Sequence, residues 1–223
     1  MTRSMKYTVA KTARIGLFGM VLGITPMLQG CFPIIAAGVG TGVIVVADRR
    51  SAGAQTDDQT IQFKIGNAVS DKYGSRTHIN VTSYNRSVLL TGEAPNAETK
   101  DDIEKIAAGV ASNVRGVVNE VQISGASSLA SRSNDTYLTG KVKARMFDEP
   151  RVQINHVKVV TENSVVYLLG IVTPNEAEIA TQVASTTGGV QKVVKVFEYC
   201  QPTDAICQKQ SVAQPQPDKA GTN

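Results

Sequence analysis

The chain repeats itself. From about Asp57 to Ser124, and again from about Asn134 to Tyr199, the same order of patterns returns. Each half opens with an acidic residue ahead of an apolar series at i, i+4, i+8. Asp58 precedes Ile61, Ile65 and Val69; Asp135 precedes Leu138, Val142 and Met146. That spacing sets three apolar side chains on one helix face, with the acid placed as its N-cap. Two β-rich runs then flank a short turn: HINVTSY and SVLLTGE around Asn85-Arg86, NHVKVVT and SVVYLLGIV around Glu162-Asn163. Short alternating runs joined in this way predict a hairpin. Gly92 and Gly170 fall at the same place late in the second run, where a bulge or a close backbone approach is expected. Pro95-Asn96 and Pro174-Asn175 predict a second helix, capped by the asparagine. Gly116 and Gly189 are expected to end these helices, and VVNEVQIS and VQKVVKVFEY supply a last strand. The order is α-β-β-α-β, twice. This predicts an α+β chain of two tandem domains, each with a small three-stranded mixed sheet and two helices on one face. Units this short have small cores, so each is expected to lean on its twin.

The N-terminus has a different character. Arg3, Lys6, Lys11 and Arg14 precede an apolar run from Ile15 to Leu28, too short for a comfortable membrane span, and Leu28-Gln29-Gly30-Cys31 follows. This is the layout of a secretory signal over residues 1–30. The LQGC stretch resembles a bacterial lipobox, in which the cysteine becomes the lipidated first residue, although Gln29 is larger than is usual there. Acyl chains on Cys31 would anchor the chain tightly, since each buried CH₂ contributes about 0.8 kcal/mol.

The leader also accounts for the net charge. The whole chain carries 23 Lys and Arg against 19 Asp and Glu. Four bases and no acids lie in residues 1–30, which leaves a neutral mature chain and excludes a nucleic-acid reading from global charge. Residues 31–56 read as an apolar, glycine-rich tether, either packed or at a membrane surface, or mobile. Residues 57–124 and 134–200 are the two domains, 125–133 a flexible linker, and 201–223 a polar tail expected to be disordered. Cys200 and Cys207 are expected to pair as a disulfide in an oxidising compartment; a metal pair is less favoured, because His78 and His156 are both far away in sequence.

The domain order is accompanied by Gly92-Glu-Ala-Pro-Asn96 with Gly116-Val117, and by Gly170-Ile-Val-Thr-Pro-Asn175 with Gly189-Val190. These features resemble the BON domain. Two such domains behind LQGC, joined to it by Asp48–Asp57 (DRRSAGAQTD) and with Asp135-Thr136 opening the second, resemble the dual BON-domain outer-membrane lipoproteins of the DolP/YraP type, within the OsmY-related BON family. The resemblance implies the periplasmic face of the outer membrane, because Phe32 rather than aspartate follows Cys31. It also implies binding of anionic phospholipid, such as phosphatidylglycerol or cardiolipin, through the opening helix of the second domain. The aromatic after Asp-Thr is typically tryptophan in that group; here it is Tyr137.

The residues offer no catalytic constellation. G-x-S-x-G, H-E-x-x-H and a phosphate-cradling glycine loop are all missing. His78 and His156 read as paired surface positions on equivalent strands, with no nucleophile between them. Neither a cofactor nor a metal is called for.

The repeat supplies an internal control for binding. When the apolar series are aligned, the neighbouring stripe is Thr60, Lys64 and Ala68 in the first half but Tyr137, Lys141 and Arg145 in the second. Packing alone does not ask for an aromatic and two bases there, and Lys143 and Arg151 add local charge. An aromatic with cations along the same helix suits an anionic membrane surface. Thr136, Tyr137, Leu138, Lys141 and Arg145 are therefore the candidate lipid-binding residues. The alternative is an adaptor that docks an outer-membrane assembly or cell-wall protein by a sheet face or strand edge, with lipid serving only as anchor.

Overall fold

A computed structural model describes residues 48–110 and 112–208. The signal region, Cys31, the tether as far as Ala47 and the tail from Lys209 lie outside these residues. The first domain comprises α1 (Ala52–Tyr73), β1 (His78–Tyr84), β2 (Ser87–Ala94), α2 (Ala97–Val110), β3 (Gly116–Asn119) and β4 (Gln122–Ile123). The second comprises α3 (Leu129–Phe147), β5 (Val157–Glu162), β6 (Val165–Val172), α4 (Pro174–Ser185) and β7 (Lys192–Tyr199). In each, the hairpin is antiparallel and the last strand joins its second strand in parallel, with β3 and β4 as two pieces of one edge. A helix supplies the crossover that a parallel pair requires.

Both opening helices start earlier than the sequence patterns suggest. Ser51 caps α1 and Ser128 caps α3, each accepting a backbone N–H at 3.1 Å. Much of DRRSAGAQTD, and the second half of the 125–133 segment, is therefore helix. Asp58 and Asp135 are not caps. They sit one turn before the apolar stripe on the inward side, 2% and 4% exposed, and bind the hairpin turns. Asp58 accepts the N–H groups of Asn85 and Arg86 (2.8 and 2.6 Å) and the Ser83 hydroxyl (2.7 Å). Asp135 accepts those of Asn163 and Ser164 (2.9 and 2.8 Å). The turn residues have positive φ: 50° and 68° in the first hairpin, 50° and 60° in the second. This is the geometry of a two-residue type I′ turn, which asparagine tolerates at its first position. The second turn is thus Asn163-Ser164, one residue later than Glu162-Asn163, and Glu162 belongs to β5.

Other local readings are kept or changed. Asn96 does cap α2, accepting the Thr99 N–H at 2.9 Å. In the second domain Thr173 takes that role, in a capping box with Glu176, and Asn175 lies inside α4. Gly116 begins β3. Gly189 follows a short turn after α4 at φ 104°, where a Cβ would lie 2.7 Å from a Leu138 methyl. Gly92 and Gly170 are sites of close approach, since a Cβ there would meet the His78 or His156 carbonyl oxygen. Residues 201–208 are ordered turns, with Cys200 and Cys207 buried and joined by a disulfide.

Three apolar clusters explain the layers. Ile61, Ile65 and Val69 of α1 pack with Ile103 and Ala107 of α2 on one face of the first sheet, through Val88 and Leu90. Val142 and Met146 of α3 pack with Ala177, Ala180 and Ala184 of α4 against Val166 and Leu168. The third cluster joins the opposite faces of the two sheets: Tyr84 and Leu89 meet Tyr167, Leu169 and Ile171, with Cys200 and Cys207 at the margin. The second domain's sheet therefore covers the first, giving helices, sheet, sheet, helices. This is why β2 and β6 are buried on both faces. Burial of the two tyrosine hydroxyls pushes their pKa up to about 12.

Candidate functional site

The helix α3 carries the candidate residues on two distinct faces. Leu138, Val142 and Met146 point inward, and Leu138 is 2% exposed against the Gly189 turn. Its burial removes Leu138 from the surface a lipid can reach. The outward side runs along Leu129, Ser133, Thr136, Tyr137, Gly140, Ala144 and Phe147, all exposed and recurring at helical spacing. Leu129, Tyr137 and Phe147 are 79%, 65% and 60% exposed, among the largest apolar exposures in the structure. Leu129 and Phe147 are about 27 Å apart along the axis at 1.5 Å per residue. The Thr136 hydroxyl donates to the Arg132 carbonyl at 3.0 Å.

Lys141 and Arg145 flank this face and have a second occupation. The Lys141 ammonium donates to the Gly188 carbonyl at 2.9 Å and stands 6.0 Å from the centre of the Tyr137 ring. The Arg145 guanidinium donates to the Val183 carbonyl (2.9 Å) and to the hydroxyls of Thr187 (2.7 Å) and Thr186 (3.1 Å). These acceptors lie at the C-terminal end of α4, where carbonyls lack helical partners and the helix dipole is negative. The fold thus uses both bases, contrary to the expectation that packing has no need of them. Lys143, on the other flank, is exposed. Arg151 is tied to Glu149, its guanidinium donating at 2.7 and 2.8 Å. This pairing, with an Arg151 backbone hydrogen bond, draws the Glu149 carboxyl down to about 2. Arg151 therefore adds little net charge to the face.

Sequence reasoning overlooked Leu129 and Phe147. Leu129 was hidden because the helix was started too late; Phe147 directly follows Met146 and lies off both aligned stripes. It also overlooked a buried knot around Glu176. Arg49 is 4% exposed and donates to both Glu176 oxygens (2.8 and 3.1 Å) and to the carbonyls of Ile171 and Cys207. His156, also buried, contacts Glu176 at 3.2 Å. Burial opposes ionisation of Glu176, but hydrogen bonds from His156, Arg49 and the Thr173 N–H outweigh it and hold the carboxyl well below the usual range. Neither histidine is a plain surface position, since His78 is only partly exposed and contacts Glu93. No helix among the described residues is long and apolar enough to cross a membrane.

Comparison with known proteins follows the two-domain geometry. The BON domain family matches residues 57–125 and 134–201. The chain is 42% identical over 182 residues to outer membrane lipoprotein DolP of Haemophilus influenzae, covering 81% of this chain and 94% of that one. It is 35% identical to the 21 kDa hemolysin of Actinobacillus pleuropneumoniae, over 69% of this chain and 80% of the other. It is 28% identical to osmotically-inducible protein Y of Escherichia coli, over 68% and 77% respectively. With two matched copies of one α-β-β-α-β unit packed sheet to sheet, the chain belongs to the BON-domain family.

Proposed function

We propose that the chain is a non-enzymatic, lipid-anchored protein of the periplasmic face of the outer membrane. In this reading Cys31 bears the acyl chains, the outward face of α3 binds anionic phospholipid, and the protein supports envelope integrity. The observation that carries it is the exposed stripe of Leu129, Tyr137 and Phe147, separated by small residues, with Lys143 on one flank and Lys141 and Arg145 on the other. An amphipathic ring sits well at headgroup level, and a helix of this kind lies in the interface plane. Each base near an anionic surface contributes about 1 kcal/mol, a term that salt weakens. The likeness to a protein named as an outer membrane lipoprotein supports the anchor and the compartment.

Vesicle binding tests this reading. Reversing Lys141 and Arg145 would also strip the end of α4, so the cleaner variant is Tyr137→Ala, Lys143→Glu. The parent chain is expected to bind phosphatidylglycerol or cardiolipin vesicles and to ignore phosphatidylcholine. The double variant should bind at least tenfold more weakly. Equal binding by parent and variant defeats the assignment.

One observation favours the adaptor reading. The outer edge of β7 has no strand partner among the described residues. Beside it lies a groove of about 710 Å³ lined by Ala177, Thr181 and Ser185 of α4 and by Lys195 and Tyr199 of β7. A strand edge next to a helix suits addition of an extended peptide. Crosslinks from β7 to protein, with vesicle binding absent, would select this reading.

A further inference from the structure

We infer that His78, Glu93 and Glu162 form a site for one divalent transition-metal ion of the zinc class, held across the joint between the two domains. One potential ligand atom from each of the three residues lies within 4.8 Å of the others. They come from three strands: His78 and Glu93 are direct neighbours in the β1–β2 ladder, and Glu162 arrives from β5 of the other domain. Tetrahedral zinc with bonds of about 2.0–2.2 Å sets ligand atoms about 3.4 Å apart, a modest contraction for side chains of this length.

The charge balance points the same way. Glu93 is 1% exposed and Glu162 is 4% exposed. Among the described residues no lysine or arginine pairs with either carboxylate; His78 is the sole basic contact, at 3.1 Å from Glu93. Two buried carboxylates at this separation repel one another strongly unless a proton or a cation stands between them.

The surroundings resemble a supporting shell. Asn80 donates to Glu162 at 2.6 Å; the Asn163 amide and the Ser127 N–H each donate to Glu93 at 3.2 Å. Such bonds orient metal-binding carboxylates. Thr91 is a buried polar neighbour on the same strand. It lies two residues before Glu93 on the same sheet face and opposite Asn80, is 1% exposed, and its hydroxyl has no hydrogen-bond partner. Buried hydroxyls are seldom left so. His78 and Glu162 also line a cavity of about 440 Å³ that offers an entry path. An imidazole beside two carboxylates favours zinc-like ions over calcium or magnesium.

The test uses the full chain in detergent, washed with chelator and titrated with zinc chloride or magnesium chloride by calorimetry. One zinc per chain is expected, with magnesium far weaker. At a hundredfold excess over Kd, zinc should raise Tm by roughly 5–10 °C. Glu162→Gln and His78→Ala should each weaken zinc binding at least tenfold, while Asp101→Asn, on the surface of α2, leaves it unchanged. Absence of zinc heat and of a Tm shift overturns the proposal. So does a Glu162→Gln chain with native circular dichroism that binds zinc as tightly as the parent. The ligands lie off α3, although Arg132, Asp135, Thr136 and Thr139 line the entry cavity; zinc titration in the absence of vesicles therefore reads the metal site separately from lipid binding.

Discussion

The two BON domains share a frame and differ along one edge. In both, an inward aspartate of the opening helix holds a type I′ turn, and three apolar residues follow on the same face. Outward, α1 shows Ala52, Thr56, Gln59, Thr60, Phe63, Asn67 and Ser70, all exposed and with a single aromatic. At the same positions α3 shows Leu129, Ser133, Thr136, Tyr137, Gly140, Ala144 and Phe147. A difference between repeats marks where packing leaves freedom, but it does not mark function by itself. Arg145 replaces Ala68 and yet is bound to the end of α4, while Lys141, bound there too, has a lysine as its counterpart at Lys64.

The shared part can be broken hardest. Asp58→Ala should cost about 3–5 kcal/mol, because charged hydrogen bonds are lost and buried N–H groups are left unpaired. Asp135→Ala should cost less, about 2–3 kcal/mol, since Asp58 also holds Ser83 and Arg50. Urea unfolding checks the order; equal costs would show that the extra contacts of Asp58 contribute nothing.

Next comes a feature of the second domain alone. Arg49→Ala should cost about 3 kcal/mol by uncovering Glu176; in the first domain the place three residues after the helix cap is held by Thr99. The folded-state pKa of Glu176 is depressed, so its stabilisation is present above its unfolded value of about 4.3 and is lost as pH falls through the folded value. The gap between parent and variant should therefore be full at pH 7 and shrink well below pH 4. A gap independent of pH would exclude the ion pair as its cause.

Smaller effects separate structure from lipid. Arg145→Ala should destabilise the second domain by about 1 kcal/mol, whereas Ala68→Arg should leave the first unchanged. Lys143→Glu should leave unfolding unaltered and weaken vesicle binding about tenfold in low salt. If Lys143→Glu moved unfolding and left vesicles unaffected, the roles assigned to the two flanks would be reversed.

Element order, the inward helix stripes and the close-approach glycines could be read from sequence, because each rests on local periodicity or on space forbidden to a Cβ. Caps were misread where two candidates compete. Asp58 looks like a cap only until its turn partners, 27 and 28 residues away, are in place. The hairpin slipped by one residue at Glu162 for the same reason: both Glu162 and Asn163 suit a turn, and pairing across the sheet chose between them. Tyr137 was legible as an unneeded aromatic. The anchoring of Lys141 and Arg145 was not, since their acceptors are backbone carbonyls more than 35 residues on.

By itself the sequence determined two copies of an α-β-β-α-β unit, a cysteine after an apolar run, and the inward face of each helix. These follow from residue type and spacing, which act over a few residues. The tertiary structure decided that the two sheets face one another, that Arg49 closes on Glu176, and that His78, Glu93 and Glu162 meet. Those outcomes depend on burying apolar and charged groups far apart in the chain, and only the folded packing fixes which of them share a space.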